Sequence, residues 1–468
     1  MKKFLIRTLI TIGIIITILI IGAGRSSSSL IEYLGKNAGE FQWTVTVADH
    51  NLALAKRKAL LANSPHCEAA HTDINRKEQF GNLIKKHDIV ISMAPAYMHA
   101  AIARHCLELK KHLITASYVG PKMQALDDQA RKNGLLFLNE CGLDPGIDHM
   151  SAMRVIDRLK SQEFKLLGFE TFTGGLLAPV HEDNPWNYKF TWNPRNIVLA
   201  GRGCVKFIQK GRYKFIPYHK LFRRTEILNI PQYGYFEGYA NRDSLKYLDV
   251  YRLKGIQTLY RGTLRRPGFC KAWDTFVQLG ATDDSYEMED VHNMTHRQFI
   301  NSFLSYNPSD SVELKLAHYL KLELNSEIMF KLKWLGMFDE EPIGLKKGTP
   351  AQILEHILKK KWTLGPDEKD IIVMLHKFDY EENGKHKRIQ SHMVIEGRDS
   401  THTGMALTVG LPIAIATKLL ALGKLTATGV HRPITPELYN PILNELEKVG
   451  IQFHEHNENI EPLKLNMI

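Results

Sequence analysis

The apolar pattern changes period along the chain, and those changes divide it. Residues 15–21 are apolar except for one threonine, a short run stopped by Gly22 and suited to a strand buried on both faces. Trp43-Thr-Val-Thr-Val47 reads as a second strand ending at Asp49, residues 69–74 as a third, and Asp88-Ile-Val-Ile-Ser-Met-Ala-Pro95 as a fourth stopped by proline. Residues 112–118 and 134–138 follow as the fifth and sixth. Helical spacing fills the gaps, as over residues 52–63. Strand and helix in alternation predict an α/β fold with a Rossmann-type, doubly wound parallel sheet.

Beyond Lys160 the pattern is less regular and richer in strands. Residues 165–173 read as a strand before a Gly174-Gly175 loop, and residues 268–361 as mainly helical. Residues 370–376 and 388–396, joined through Glu382-Asn383-Gly384, read as an antiparallel hairpin. An apolar helix over 404–422 with a kink expected at Pro412, a helix over 436–449 and a strand near 451–454 complete the chain. The expected division is an N-terminal extension plus dinucleotide-binding domain over 1–143 and a mixed α+β substrate and dimerisation domain over 144–267 and 362–402. A helical insertion over 268–361 and a C-terminal segment over 403–468 that packs back on the Rossmann domain complete it.

One stretch joins these halves: Asn139-Glu-Cys-Gly-Leu-Asp-Pro-Gly-Ile-Asp-His-Met150. Proline and glycine make a sharp exit from the sixth strand, and helical spacing follows through Ile147, Met150, Val155, Ile156 and Leu159. Asp144 then stands at a strand's carboxyl end, where open parallel sheets bind ligands. The competing reading makes it a turn residue or helix cap.

Gly22 and Gly24 take the first two positions of a GxGxxG turn, with Ser27 in the third, and the amides of Arg25, Ser26, Ser27 and Ser28 open a helix whose N-terminus favours phosphate. Asp49 ends the next strand, where a carboxylate accepts ribose hydroxyls, so it tilts the cofactor toward NAD over NADP. A 2′-phosphate would meet that carboxylate unfavourably, with His50 and Arg25 in partial compensation. Asp73, on the third strand, is expected near the adenine. The ends at Ala94, Ser117-Tyr118 and Leu143-Asp144 are expected to converge on the nicotinamide side.

Length and composition fit a globular, multi-domain chain of 468 residues. The net charge of +11 is scattered, with no basic run interleaved with aromatics, so nucleic acid is not expected; Arg223-Arg224 and Arg265-Arg266 read as a solvated face or carboxylate clamps. Five widely spaced cysteines form no CxxC, which fits reduced thiols in the cytoplasm, and no histidine spacing predicts a metal. The uncharged run from Thr8 to Gly24 has the outline of a signal peptide or anchor, but it is β-branched, short for a span and ends in the glycine turn, so a buried strand behind an extension is expected instead of a membrane segment. For Asp183-Asn-Pro-Trp-Asn-Tyr-Lys-Phe-Thr-Trp-Asn-Pro194 two readings stand: a lid over a ring cofactor, or a loop packed on the sheet.

The segments GAGRSSSS, VTVAD, DIVISMAPAYMH, TASYVGP, NECGLDPGIDHM, GGLLAPVHEDNPWNYKFTW, YANRDS, RGTLRRPGF and VGLPIAIATKLL together resemble the saccharopine reductase family, the glutamate-forming saccharopine dehydrogenases. The resemblance implies NAD(P) against Gly22, Gly24, Arg25, Ser26, Ser27, Ser28, Asp49, His50, Asp73, Ile74, Ala94, Ala116, Ser117, Leu143, Asp144, Pro145 and Asn193. It implies saccharopine, a tricarboxylic amino acid, against Ser117, Tyr118, Asp144, Arg242, Thr263, Leu264 and Arg265, in a homodimer. Asp144 and Tyr118 are the implied catalytic groups, with Arg242 and Arg265 as carboxylate binders. His99 and His149 are read as structural or supporting histidines. Two departures stand out: Thr173 replaces a cysteine found near the substrate amine in some members, and Asp49 replaces an uncharged or basic cofactor selector. A reductase of polyamine or other amino-acid imines, and a dinucleotide-binding sensor without catalysis, are the alternatives.

Overall fold

A seven-stranded, all-parallel sheet organises the first part of the molecule in the computed structural model, which describes residues 15–461. Two units are resolved, one running through Phe164 and including Gly397–His454, the other spanning Lys165–Glu396 and the residues from Glu455. The first unit opens with β1 (Ile16–Ile21), β2 (Trp43–Asp49), β3 (Cys67–His71), β4 (Ile89–Ser92), β5 (His112–Thr115) and β6 (Leu136–Leu138). β1 pairs with both β2 and β4, so strand order reverses there and opens the crevice that such sheets use for ligands. Ile18 to Ile21 are buried, as expected of a central parallel strand. The third strand ends at His71, so Asp73 and Ile74 lie on the loop behind it and not at its tip.

Among the helices of this unit, α1 (Ser28–Phe41), α2 (His99–Glu108) and α3 (Ile147–Ser161) follow β1, β4 and β6. α1 buries Leu30, Ile31, Leu34 and Ala38 along one stripe, whereas α3 is buried on all sides over residues 147–153.

The second unit is built on a nine-stranded sheet. Its strands are β7 (Lys165–Leu177), β8 (Cys204–Gln209), β9 (Arg212–Pro217), β10 (Thr225–Ile230), β11 (Gly234–Ala240), β12 (Thr258–Arg265), β13 (Asp370–Glu382) and β14 (Lys385–Glu396), joined by a final strand. Asn383 and Gly384 carry φ of 52° and 75°, the two left-handed residues that a two-residue hairpin turn needs. Gly174 and Gly175 do not form a loop; both sit inside β7, and a Cβ on Gly174 would stand 2.8 Å from the Leu264 side chain on β12. The helices Phe269–Leu279, Val312–Leu320, Glu327–Trp334 and Pro350–Trp362 share one apolar core with Phe172, Tyr260 and Leu264 of the sheet.

The chain then returns to the first unit as α4 (Gly404–Ala421), β15 (Gly429–His431) and α5 (Pro436–Lys448), and ends on β16 (His454–Asn459) beside β14. β15 pairs with β6 and supplies the seventh parallel strand. α4 is long and apolar enough to cross a membrane, yet 72% of it is buried inside the unit. A Cβ on Gly410 would meet the Leu30 amide at 2.9 Å, which shows how closely α4 lies on α1.

Candidate active site

The glycine turn leaves β1 at Gly22, whose φ of 104° favours glycine and whose amide donates to the Ala48 carbonyl at 2.8 Å. A Cβ there would stand 2.9 Å from the backbone carbonyl of Met93, on the loop after β4. At Gly24 a Cβ would meet nothing within 4 Å, so the backbone is open to the approach of a phosphate group. Ser27 is buried and its hydroxyl donates to the Gly24 carbonyl at 2.8 Å, so a polar residue fits the third position at no unsatisfied cost. Arg25–Ser27 form one 3-10 turn that runs into α1 and presents its first amides. Gly22→Ala is expected to cost about 1–3 kcal/mol through the left-handed backbone and to weaken dinucleotide binding. A thermal melt and a fluorescence titration with NADP check both effects.

Asp49 is only 8% exposed. One oxygen accepts from the Ala23 amide at 2.8 Å; the other accepts from the Asn51 amide at 2.9 Å and lies 2.9 Å from Nδ1 of the exposed His50. The carboxylate therefore anchors the glycine turn. Asp73 accepts from the Asn75 amide at 2.9 Å in a loop turn, next to Ile74.

Three strand ends of this unit come together. Ala94 follows β4, Ala116, Ser117 and Tyr118 follow β5, and Gly142 to Gly146 follow β6. Gly142 has no room for a side chain, because a Cβ would stand 2.8 Å from that of Ala116. The turn closes through the Gly142 amide, which donates to the Pro145 carbonyl at 2.9 Å. Gly146 has φ of 152°, and a Cβ there would overlap the Gly142 carbonyl oxygen at 2.0 Å. Leu143 and Pro145 are buried in this turn, whereas Asp144 is half-buried. No side chain caps the helix that follows, whose N-cap is Gly146, so Asp144 is not its cap; within the first turn Asp148 Oδ1 accepts from the Gly146 amide at 2.6 Å. Asp144 instead accepts from the Tyr118 hydroxyl at 3.2 Å.

A buried polar layer lies beneath that pair. Glu140 is 2% exposed and accepts from the Val119 amide at 2.9 Å and from Arg432 Nε at 2.8 Å, and its other oxygen lies 2.8 Å from His149 Nε2. Burial alone would raise its pKa; the bonds from His149, Arg432 and Val119 override that and hold the carboxyl below its usual value. The folded state thus binds fewer protons than the unfolded state below the ordinary carboxylate pKa. The associated stability is present above that value and is lost as pH falls through the depressed folded pKa. Melting temperature against pH should show this acid limb in the wild type and lose part of it in Glu140→Gln.

His99, on α2, is buried beside Ser92 and Ser117. Its pKa is pushed down to about 4 by burial, so the ring is neutral at ordinary pH.

In the second unit, Arg265 ends β12 and is 4% exposed. Its Nη1 donates to the Leu264 carbonyl at 2.7 Å, and the guanidinium faces the rings of Tyr188, Phe269 and Tyr239 at 5.2, 5.3 and 5.9 Å. Its Nε has no hydrogen-bond partner, and no carboxylate among the described residues pairs with it. Arg266 and Arg223 differ: the first pairs with Glu182, the second with Asp274 at 2.7 Å, so both serve the structure. Thr263 lies opposite Thr173 on the neighbouring parallel strand and opposite Tyr239 on the antiparallel one. Arg242 is an exposed loop residue with φ of 55° whose carbonyl accepts from the Lys206 amide at 3.1 Å. Asn193 caps the helix Pro194–Val198, accepting from the Arg195 amide at 3.0 Å.

The aromatic stretch is a wall of this unit and not a lid. Trp186, Tyr188 and Phe190 are buried around Trp362 with ring centroids 5.2, 5.0 and 5.3 Å from it, and the Trp186 indole donates to the Lys331 carbonyl at 3.0 Å. Sequence reasoning left Glu140 and Arg432 without roles. Glu140 stood in a recognised motif, but its partner is far along the chain and carries no local signal.

Two family models match the chain. One is described as the saccharopine dehydrogenase NADP binding domain and covers residues 18–138; the other is the saccharopine dehydrogenase C-terminal domain and covers residues 142–451. The chain is 31% identical to saccharopine dehydrogenase [NADP(+), L-glutamate-forming] of Schizosaccharomyces pombe, over 94% of this chain and 98% of that protein. It is 30% identical to the mitochondrial alpha-aminoadipic semialdehyde synthase of Rattus norvegicus over 93% of this chain and 47% of that one, so it spans about half the length of such relatives. The solved apo structure of saccharopine dehydrogenase (L-Glu forming) from Saccharomyces cerevisiae superposes with a TM-score of 0.85 at 29% identity, over 94% of this chain and 99% of that one. The lean toward NAD finds no support here: the matching nucleotide domain is of the NADP-binding kind, and Asp49 has a structural duty that accounts for a carboxylate at its position.

Proposed function

Because this chain belongs to the saccharopine dehydrogenase family, we propose that it oxidises saccharopine with NADP to L-glutamate and 2-aminoadipate 6-semialdehyde, a step of lysine metabolism. The observation that carries the substrate assignment is Arg265, a buried guanidinium that lacks a carboxylate partner among the described residues. A charge so placed is costly until an anion meets it, and a carboxylate answers its fork with two parallel hydrogen bonds. Arg242, Thr263 and Leu264 are proposed as further contacts to the substrate carboxylates. A polyamine would be repelled by such a site, and nothing in the comparisons supports that alternative or the silent sensor.

NADP, when bound, takes up the hydride. Its pyrophosphate fits the turn at Gly22 and Gly24 and the amides of Arg25 to Ser28, where the backbone is open and the helix begins. Cofactor contacts are also proposed for Asp49, His50, Asp73, Ile74, Ala94, Ala116, Ser117, Leu143, Asp144, Pro145 and Asn193. As the carbon–hydrogen bond next to nitrogen breaks, a carbon–nitrogen double bond forms and nitrogen gains positive charge. Asp144 is proposed to face that nitrogen and stabilise the charge, with Tyr118 holding the carboxylate in orientation through its hydroxyl. Water then adds to the imine carbon and the original carbon–nitrogen bond breaks, releasing glutamate and the aldehyde. Five unpaired cysteines, three of them buried, support a reducing compartment such as the cytoplasm.

Product analysis tests this reading. Protein incubated with saccharopine and NADP should release L-glutamate. Release of lysine and 2-oxoglutarate instead would place cleavage on the other side of the nitrogen and overturn it.

A further inference from the structure

Ser92 and Ser117, at the ends of neighbouring strands, are bridged by one imidazole. Nδ1 of His99 lies 2.8 Å from the Ser92 hydroxyl and Nε2 lies 2.6 Å from the Ser117 hydroxyl. Thr115 is the third hydroxyl nearby, but at 3.4 and 3.5 Å from the ring nitrogens it is marginal, and it accepts from the Ser117 amide at 3.3 Å. Ser92 is 1% exposed and His99 5% exposed, whereas Ser117 is half-buried at the strand end.

A neutral imidazole has one donor and one acceptor nitrogen, so the bridge has a direction. His99 is the one hydrogen-bond partner of the Ser92 hydroxyl among the described residues. If Nδ1 carried the hydrogen, the buried Ser92 hydroxyl would receive it and have no acceptor for its own. With the opposite tautomer, Ser92 donates to Nδ1 and Nε2–H donates to Ser117, so the Ser92 hydroxyl and both ring nitrogens are satisfied through the two short contacts. Ser117 then receives a hydrogen bond from within the protein and keeps its own hydrogen for something outside it. Burial, which holds the ring pKa near 4, keeps this arrangement neutral.

We propose that His99 is a positioning residue: its Nε2–H commits the Ser117 hydroxyl to donate to an acceptor oxygen of a bound ligand. The ligand oxygen belongs to a carboxylate of the substrate or to the carboxamide of the nicotinamide. This rests on the reading that Ser117 lies at the ligand site.

Four variants and one spectrum test it. Glutamine can place an amide N–H where Nε2 stands, whereas asparagine reaches only the Nδ1 position. His99→Asn should therefore weaken one ligand by about tenfold, and His99→Gln should stay within about twofold of the wild type. A change in saccharopine KM points to the carboxylate, a change in NADP Kd to the carboxamide. Adding His99→Asn to Ser117→Ala should do no further harm, since the histidine acts through that hydroxyl. Nitrogen NMR of the protein labelled at histidine should show, for the signal missing in His99→Gln, a protonated Nε2 and a bare Nδ1. A protonated Nδ1, or equal damage from asparagine and glutamine, or additive losses in the double variant, would overturn the proposal. The spectrum needs no substrate, so its failure is distinct from a failure of the saccharopine assignment, which would appear as absent turnover in the unmodified protein.

Discussion

Asp144→Ala should lower kcat for saccharopine oxidation by roughly 10²–10⁴-fold, the range over which a positioned side chain assists proton and charge movement in a transition state. Folding should survive, because the following helix does not take its cap from Asp144 and Asp144 is half-buried at the strand end. Asp144→Asn keeps the shape and the contact with Tyr118 but removes the negative charge, so a loss close to that of alanine assigns the effect to charge. Tyr118→Phe should cost less, about tenfold, since it removes one hydrogen bond of 3.2 Å and leaves the carboxylate in place. Stopped-flow measurement of reduced nicotinamide under saturating saccharopine separates these outcomes. A kcat for Asp144→Ala within a few-fold of the wild type would remove the residue from the chemistry.

Arg265→Met should raise the KM for saccharopine by about 10- to 100-fold, the worth of hydrogen bonds to a charged group. The same change should leave the ligand-free protein no less stable. Removing the guanidinium relieves a desolvation cost of several kcal/mol that no carboxylate offsets, and forfeits the hydrogen bond to the Leu264 carbonyl and the cation–π contacts with three rings, each worth about 1–2 kcal/mol at most. Differential scanning calorimetry without ligand, beside steady-state kinetics, reads both. A sharp fall in melting temperature with an unchanged KM would make Arg265 a structural residue.

Local pattern carried much of the first unit. Its strands are short apolar runs closed by Gly22, Asp49 or Pro95, and the Asn383-Gly384 hairpin was legible because few residues tolerate two consecutive left-handed positions. The role of Asp49 was not legible. A carboxylate after the second strand has the same sequence signature whether ribose or the Ala23 amide takes its hydrogen bonds. Gly174 and Gly175 read as a loop because glycine favours turns, while the neighbour that excludes a side chain there, Leu264, lies on another strand. The stretch 183–194 offered rings without saying what they face; Trp362, far along the chain, decides that they build a core. Glu140 and Arg432 meet for the same reason, through a strand returned from the C-terminal segment to the edge of the sheet.

The most direct test is the initial rate at which reduced cofactor forms when saccharopine is added to the purified protein with NADP, with NAD run in parallel. Saccharopine-dependent formation of NADPH, faster than that of NADH, is expected. No reduced nicotinamide with either cofactor would contradict it.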